Sequence, residues 1–298
     1  MKWSSAIKDY QLFLKIERGL SSNTISSYTN DLEKLLLFLS ENTMEISPIS
    51  IDETTIQQFI YDAAKKINPR SQARLISGLK SFFEYLVFED YRKTNPTDLL
   101  EAPKIGRKLP DTLSEEEIDT LIAAIDLSHP FGERNRTILE TMYSCGLRVS
   151  EVITIKISDL FFDEGFVRVL GKGNKERFIP IHNQAQKYIL SYINNIRIHQ
   201  VPQKNHEDTL FLNRRGKGLS RQMVFMMLNE TAIKINLKKK ISPHTFRHSF
   251  ATHLLKNGAD LRAIQQMLGH ESITTTEIYV HLDKSYLRDI VETYHPRR

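Results

Sequence analysis

Three short segments carry side chains whose types and spacing could do chemistry on a phosphate. In Ser242-Pro243-His244-Thr245-Phe246-Arg247-His248, the serine suits a helix N-cap and the proline the first helical position. His244, Arg247 and His248 then fall at i, i+3 and i+4 on one face. That end of a helix already favours an anion through its free N–H groups and dipole, and Arg247 adds a full charge. His244 and His248 also have metal-ligand spacing. However, the glutamate of a zinc-protease helix is absent, and Arg247 would set a cation beside the metal. His248 and His253 read better as structural, with Phe250, Ala251 and Leu254 around them.

The second segment is Cys145-Gly146-Leu147-Arg148-Val149-Ser150-Glu151. Gly146 can end one helix and Ser150 can cap the next. Arg148 then sits in the break, free to enter a cleft, with Glu151 placed to hold its guanidinium. A surface arginine beside a helix cap fits the same residues. The third segment is Leu268-Gly269-His270, followed by Thr274 to His281. Gly269 ends a helix that begins near Asp260 and leaves His270 at its exit. Ser272 can cap a further helix carrying Tyr279. A lone helical tyrosine is usually core, but this one follows a histidine at a helix exit by nine residues. Gly171-Lys172-Gly173 looks at first like a phosphate-binding loop. The lysine followed by Ser or Thr is missing and strands flank the turn, so a lysine at a hairpin tip beside a cleft fits better.

The elements that must position these groups are mostly helical. Ile7, Tyr10, Phe13, Leu14 and Ile16 recur at helical spacing. Ser22 or Asn23 can cap a second helix with Ile25, Tyr28, Leu32, Leu35 and Phe38 on one stripe. A third helix follows Asp52, with Ile56, Phe59 and Ile60. A fourth starts near Pro69, with Leu75, Leu79, Phe82, Phe83 and Leu86. Four such helices make a small bundle. Pro96, Pro103 and Pro110 then punctuate a linker holding Lys104, Arg107 and Lys108, which could cross a phosphate backbone or simply be solvated. Ser114-Glu115-Glu116-Glu117 opens a new helix with a capping-box pattern. A helix with Ile138, Met142 and Tyr143 breaks at Gly146. Strands are expected at Ser158 to Phe162, Phe166 to Leu170 and Arg177 to Ile181, joined by turns at Asp163-Glu164-Gly165 and Gly171 to Lys175. Helices dominate from there on, and the last, after Asp283, carries Tyr286, Leu287, Ile290 and Val291. That stripe could dock on a neighbouring subunit or pack on its own domain.

A length of 298 residues suits two domains. Residues 1–100 hold twelve basic and thirteen acidic side chains, so the remainder carries about +6 against +5 for the whole chain, which suits a phosphate-facing C-terminal part. A single cysteine, Cys145, excludes an internal disulfide framework and fits a reducing cytoplasm. No stretch approaches the ~20 apolar residues of a membrane span. Met1-Lys2-Trp3-Ser4-Ser5 is not followed by a signal-peptide core.

Taken together, Gly-Leu-Arg-Val-Ser-Glu (146–151), Gly-Lys-Gly-Asn-Lys-Glu-Arg (171–177), His-Thr-Phe-Arg-His (244–248), Leu-Gly-His (268–270) and Tyr279 resemble the tyrosine recombinases, the phage integrase family, over nearly the whole chain. Each motif is weak alone; five in order are specific. Within the family the chain is most similar to the Xer recombinases that resolve chromosome dimers at cell division. The run Asn257 to Arg262 and the ending His295-Pro296-Arg297-Arg298 point to one branch of that subfamily. Glu277 and Val280 differ from the commonest family residues beside the tyrosine.

The resemblance implies a mainly α fold with a small antiparallel β-sheet, in two domains that clamp the duplex. Residues 1–95 would be the helical, SAM-like core-binding domain, 96–110 a basic linker, and 111–298 the catalytic domain with a C-terminal docking helix. It implies that Tyr279 attacks the scissile phosphate to give a 3′-phosphotyrosyl enzyme and a free 5′-hydroxyl. Arg148 and Arg247 would stabilise the phosphoryl charge, His244 and His270 would hydrogen-bond the phosphate or help move the tyrosine proton, and Lys172 would protonate the leaving oxygen. The covalent link keeps the phosphodiester energy, so no cofactor, ATP or metal is implied. The implied partners are a double-stranded recombination site, a related recombinase in a heterotetramer and a DNA translocase as regulator, with no membrane. An integrase of a phage or mobile element shares this chemistry but would carry an added arm-site domain, and none is visible before Lys2. A type IB topoisomerase would relax DNA without a partner duplex. A non-catalytic DNA-binding protein would not need the complete set.

Overall fold

A computed structural model describes residues 1–104, 106, 112–171, 175–269 and 284–297. The chain divides into two compact units, Met1–Lys108 and Leu109–Arg298, each with its own apolar core.

The first unit contains α1 (Trp3–Ile16), α2 (Ser22–Glu41), α3 (Glu53–Lys66) and α4 (Pro69–Phe88). Local caps set three of the starts. Ser21 Oγ accepts from Thr24 N, Asp52 from Thr55 N, and Asn68 from Ser71 N. The cap of α2 is thus Ser21, before both expected candidates, Ser22 and Asn23. Ile7, Tyr10 and Leu14 are buried as expected, but Ile16 is 73% exposed. Ile16 lies two residues past Leu14, about 200° around the helix and so off the buried stripe. Between α2 and α4, Asp31 is fully buried and pairs with Arg74 (Oδ1–Nη2 2.8 Å) and Lys34 (3.1 Å). Gly78 lets the two helices come this close, since a Cβ there would stand 3.1 Å from Asp31 Oδ2.

The second unit begins with α5 (Glu115–Ala123), whose capping box joins Ser114 and Glu117 reciprocally. At its centre lies α6 (Gly132–Cys145), buried on every side over its second half. A short helix α7 (Val149–Val152) leads to a three-stranded antiparallel sheet of β1 (Leu160–Phe161), β2 (Phe166–Leu170) and β3 (Glu176–Pro180), in the order β1-β2-β3. Val169 pairs with Arg177 and Leu170 with Glu176. Only two residues of the strand expected at 158–162 are extended. A 3-10 turn takes Ile157–Asp159, because Asp159 Oδ2 accepts from Lys156 N and Asp208 accepts from Ser158 N and Oγ. Such local side-chain bonds compete with the strand ladder. Then follow α8 (Asn183–Asn195), α9 (Arg221–Lys234), α10 (Pro243–Lys256), α11 (Leu261–Leu268) and α12 (Lys284–Tyr294).

The apolar stripe of α12 is spent within its own unit. Leu287, Ile290 and Val291 are at most 4% exposed, against β3, α10 and α11. The segment after α12 is fixed as well. His295 is buried between the rings of Tyr143 (5.0 Å) and Phe250 (5.5 Å). Its Nδ1 accepts from Arg297 N (3.0 Å), and Nε2 lies 3.4 Å from Tyr143 O. Arg297 pairs with Asp119 (2.7 Å) and Glu140 (3.3 Å). This bonding demands a neutral imidazole, and burial lowers the His295 pKa to about 3, with His182, Arg297 and His253 adding to the effect. Because the folded value lies below the unfolded ~6.5, the stabilisation is complete above ~6.5 and is lost as pH falls. Between pH 7 and pH 5 this site should cost about 2 kcal/mol of unfolding free energy, read from urea titrations. His295→Phe should flatten part of that slope. Buried His253, also lowered by burial, should supply the remainder.

Candidate active site

The site is assembled around one carboxylate. Helix α6 stops at Gly146, in the left-handed region (φ +58°), where a Cβ would come within 2.4 Å of the Phe250 ring. Both the twist and the space require glycine. Two residues on, Arg148 occupies the N-cap position of α7, and Ser150, expected there, lies inside the helix. The reason is Glu151, whose Oε2 accepts from Arg148 N at 2.8 Å while Oε1 accepts from Arg148 Nη1 at 2.8 Å. From β3, Arg177 closes a two-pronged pair on the same carboxylate, with Nη1–Oε1 and Nη2–Oε2 both 2.9 Å. From α10, Arg247 Nη1 stands 3.8 Å from Oε2. The Glu151 side chain is 2% exposed. Burial would raise its pKa, but the bonds and charges of Arg177 and Arg148 outweigh burial and hold it below the usual carboxylate range.

The same three arginines bind the end of α11. Arg177 Nε donates to Met267 O (3.0 Å), Arg247 Nη2 to Leu268 O, and Arg148 Nη2 to Gly269 O (3.4 Å). The last carbonyls of a helix have no partner within it and carry the negative end of its dipole. Three successive carbonyls are here met by three guanidiniums. Gly269 ends α11 with φ +62°, as its sequence position predicts. Arg247 Nη1 also donates to Gly146 O at 2.8 Å. Burial lowers the Arg247 pKa to about 10, with the Arg148 charge contributing, so the group stays charged at neutral pH. Three cations against one carboxylate leave an excess of two positive charges, the electrostatics of an anion site.

Of the residues singled out in the sequence, Arg148 and Arg247 are brought together on Glu151. His244 is exposed in the first turn of α10, one turn before Arg247. His248 is exposed too, against the expectation that it is structural. The buried side of α10 carries Phe246, Arg247, Phe250 and Leu254, and His248 falls off it. His253 is structural as expected, with Nδ1 2.8 Å from Tyr143 Oη. At the base of the β2–β3 hairpin, Gly171 N donates to Lys175 O (2.8 Å). Lys172 itself, His270, Ser272 and Tyr279 lie outside the described residues, as do 105 and 107–110 of the linker. Arg177 had no role of its own in the sequence reading. Its signal was strand alternation: residues 177, 179 and 181 share a face, and Ile179 and Ile181 are core. An arginine on the core side of a strand requires a buried acid to meet it.

Residues 111–285 match the Phage integrase family, and residues 7–90 match the Phage integrase, N-terminal SAM-like domain. The chain belongs to the phage integrase family. It is a site-specific tyrosine recombinase, an enzyme that cuts and rejoins DNA. The recombinase is 46% identical over 293 residues to the tyrosine recombinase XerD of Staphylococcus saprophyticus, with 98% of each chain covered. It is 44% identical over 295 residues to XerD of Staphylococcus aureus, again with 98% of each covered. Among solved structures, XerA recombinase matches 99% of both chains at 31% identity, with a TM-score of 0.51. A lambda integrase dimer bound to a COC′ core site gives a TM-score of 0.72 over 95% of this chain and 100% of that one, but at 19% identity it speaks for the fold alone. That fold is the mainly helical one with a small antiparallel sheet described above. Among the described residues, no helix is long and apolar enough to cross a membrane.

The shared carboxylate makes a prediction for the recombinase. Glu151→Gln keeps the shape but removes the charge and turns an N–H₂ toward a guanidinium. It should lower the unfolding free energy by about 3 kcal/mol in a denaturant titration, the usual loss when a buried charge is stripped of its partner. An unchanged midpoint would mean that solvent already neutralises the cluster.

Proposed function

We propose that this enzyme cleaves DNA with Tyr279 as nucleophile and Arg148, Lys172, His244, Arg247 and His270 as its catalytic partners. The observation that carries the reading is the excess positive charge fixed at the end of α11, where His270 follows Gly269 in the chain and Tyr279 lies nine residues further. The Tyr279 oxygen attacks the scissile phosphorus, and the bond to the 5′-bridging oxygen breaks. A 3′-phosphotyrosyl enzyme and a 5′-hydroxyl result, and attack by a partner strand's 5′-hydroxyl reverses the step. Charge builds on the non-bridging oxygens in the transition state, where Arg148 and Arg247 are held in advance and need no reorganisation. Exposed His244, one turn before Arg247 on α10, hydrogen-bonds the same phosphate in this reading. A tyrosine near pKa ~10 must lose its proton as it attacks, and His270 is placed by sequence to assist. Lys172, which follows Gly171 in the chain, gives the leaving oxygen its proton.

In this reading the first unit, through residue 95, is the core-binding domain, residues 96–110 form a basic linker, and residues 111–298 form the catalytic domain. The XerD relatives support a role in resolving chromosome dimers at cell division, in the cytoplasm, by a heterotetramer with a XerC-like partner on two recombination sites. Control by a DNA translocase would fit that role. Docking of α12 on a neighbour would first require its release from its own unit.

Two experiments test this. Protein incubated with genomic fragments should form a covalent adduct whose sequenced ends converge on one chromosomal site. Tyr279→Phe should bind that site normally and yield no adduct. EDTA should leave the wild-type rate unchanged, because arginines supply the charge. An adduct surviving in Tyr279→Phe would move the nucleophile to another residue such as Tyr286 or Tyr294, and loss of cleavage in EDTA with recovery on adding a divalent ion would defeat the mechanism.

The second experiment concerns Lys172. An alkoxide leaves badly, whereas a thiolate needs no proton. Lys172→Ala in preassembled complexes should therefore cut a normal site very slowly, yet cut a 5′-bridging phosphorothiolate nearly as fast as the parent. Lys175→Ala should show no such rescue. Rescue of Lys175→Ala instead would reassign the acid.

A further inference from the structure

We infer that Arg177 is a positioning residue for strand cleavage, one that sets the Arg148 turn, the base of the β2–β3 hairpin and the end of α11 in a single register. The inference rests on the cleavage mechanism proposed above. Arg177 is not itself placed to touch DNA: its side chain is 15% exposed. All three of its nitrogens are engaged, Nη1 and Nη2 by Glu151 and Nε by Met267 O.

What the guanidinium lies against gives it this role. A Cβ on Gly171 would stand 3.2 Å from Arg177 Nη1, and one on Gly269 would stand 3.2 Å from its Nε. Gly171 immediately precedes Lys172, and Gly269 immediately precedes His270. The carboxylate that Arg177 grips is the one that fixes Arg148. One side chain therefore abuts the chain neighbour of two proposed catalytic residues and holds the partner of a third. Only a planar fork can place two parallel bonds on a carboxylate and a third, from Nε, on a carbonyl; a lysine ammonium is a single point of charge. Misplacement of reacting groups by about 1 Å costs on the order of 100-fold in rate, so loss of this wedge should act on the chemical step.

The test uses the full chain on a nicked suicide duplex carrying the chromosomal site recovered from the covalent ends. Adduct formation is timed at saturating enzyme, and DNA affinity is measured separately. Arg177→Lys and Arg177→Gln should both slow adduct formation by roughly 100-fold while the Kd stays within about twofold, the signature of an interaction that acts on the transition state. Arg168→Lys, on the adjacent strand and paired with Asp159, should react like the wild type. Gly171→Ala retains the arginine but presses on Nη1, and should slow adduct formation by about 10-fold; it decides the matter if the Arg177 variants do not fold. Restoration of the wild-type rate by lysine would reduce Arg177 to a charge, and a loss confined to affinity would make it a phosphate contact. Either result, or an unimpaired Gly171→Ala, overturns the inference. Absence of an adduct from the wild type itself would instead fault the cleavage mechanism.

Discussion

A single buried carboxylate among three guanidiniums is the constraint around which the second unit is organised. Arginines brought this close repel one another, and burial removes the water that would screen them. Glu151 offsets part of that repulsion and no more, since it supplies one negative charge where three positive ones meet. The end of α11 supplies a further part through its carbonyl dipoles. What remains uncompensated is available to an anion. The protein thus holds a phosphate-sized deficit of negative charge in a fixed frame, and the electrostatic work of collecting those cations is done during folding rather than during the reaction.

The elements that deliver the arginines are each terminated to do so. Gly146 turns α6 off where the Phe250 ring leaves no room for a side chain, and Arg148 follows in the break. Strand β3 turns Arg177 toward the core by simple alternation. Ser242 and Pro243 start α10 so that Arg247 faces inward while His244 stays at the surface. Gly269 stops α11 where its carbonyls meet all three. Among its described residues, the helical first unit has no comparable charge centre. There, buried Asp31 pairs with the exposed Arg74 and Lys34 and joins two helices across Gly78.

Much of this was legible in the sequence because it depends on short-range rules. Apolar periodicity gave the four helices of the first unit, and glycine and capping signals gave the ends of α6 and α11 and the start of α10. Errors came where side chains bond locally in ways that composition does not announce. Asp159 and Asp208 drew the residues before Leu160 into a turn, and Glu151 displaced Ser150 as the organiser of the α7 start. The motif around Arg148 announced its partner Glu151, three residues away. The second arginine on that carboxylate, 26 residues further along, did not stand out, because its partner is set by tertiary contact. The stripe on α12 was legible as apolar, but which of its two readings holds, docking on a neighbour or packing on its own unit, is set by tertiary contact.

The mutual dependence of these groups restricts how the site can change over generations. Loss of Glu151 leaves three crowded cations; loss of any arginine leaves an acceptor on Glu151 or a carbonyl of α11 unmet. Removing any one of them strips a buried charge of its partner and should cost stability. The four residues should therefore drift as a block or not at all, while the surface around them is free to diversify toward new target sequences.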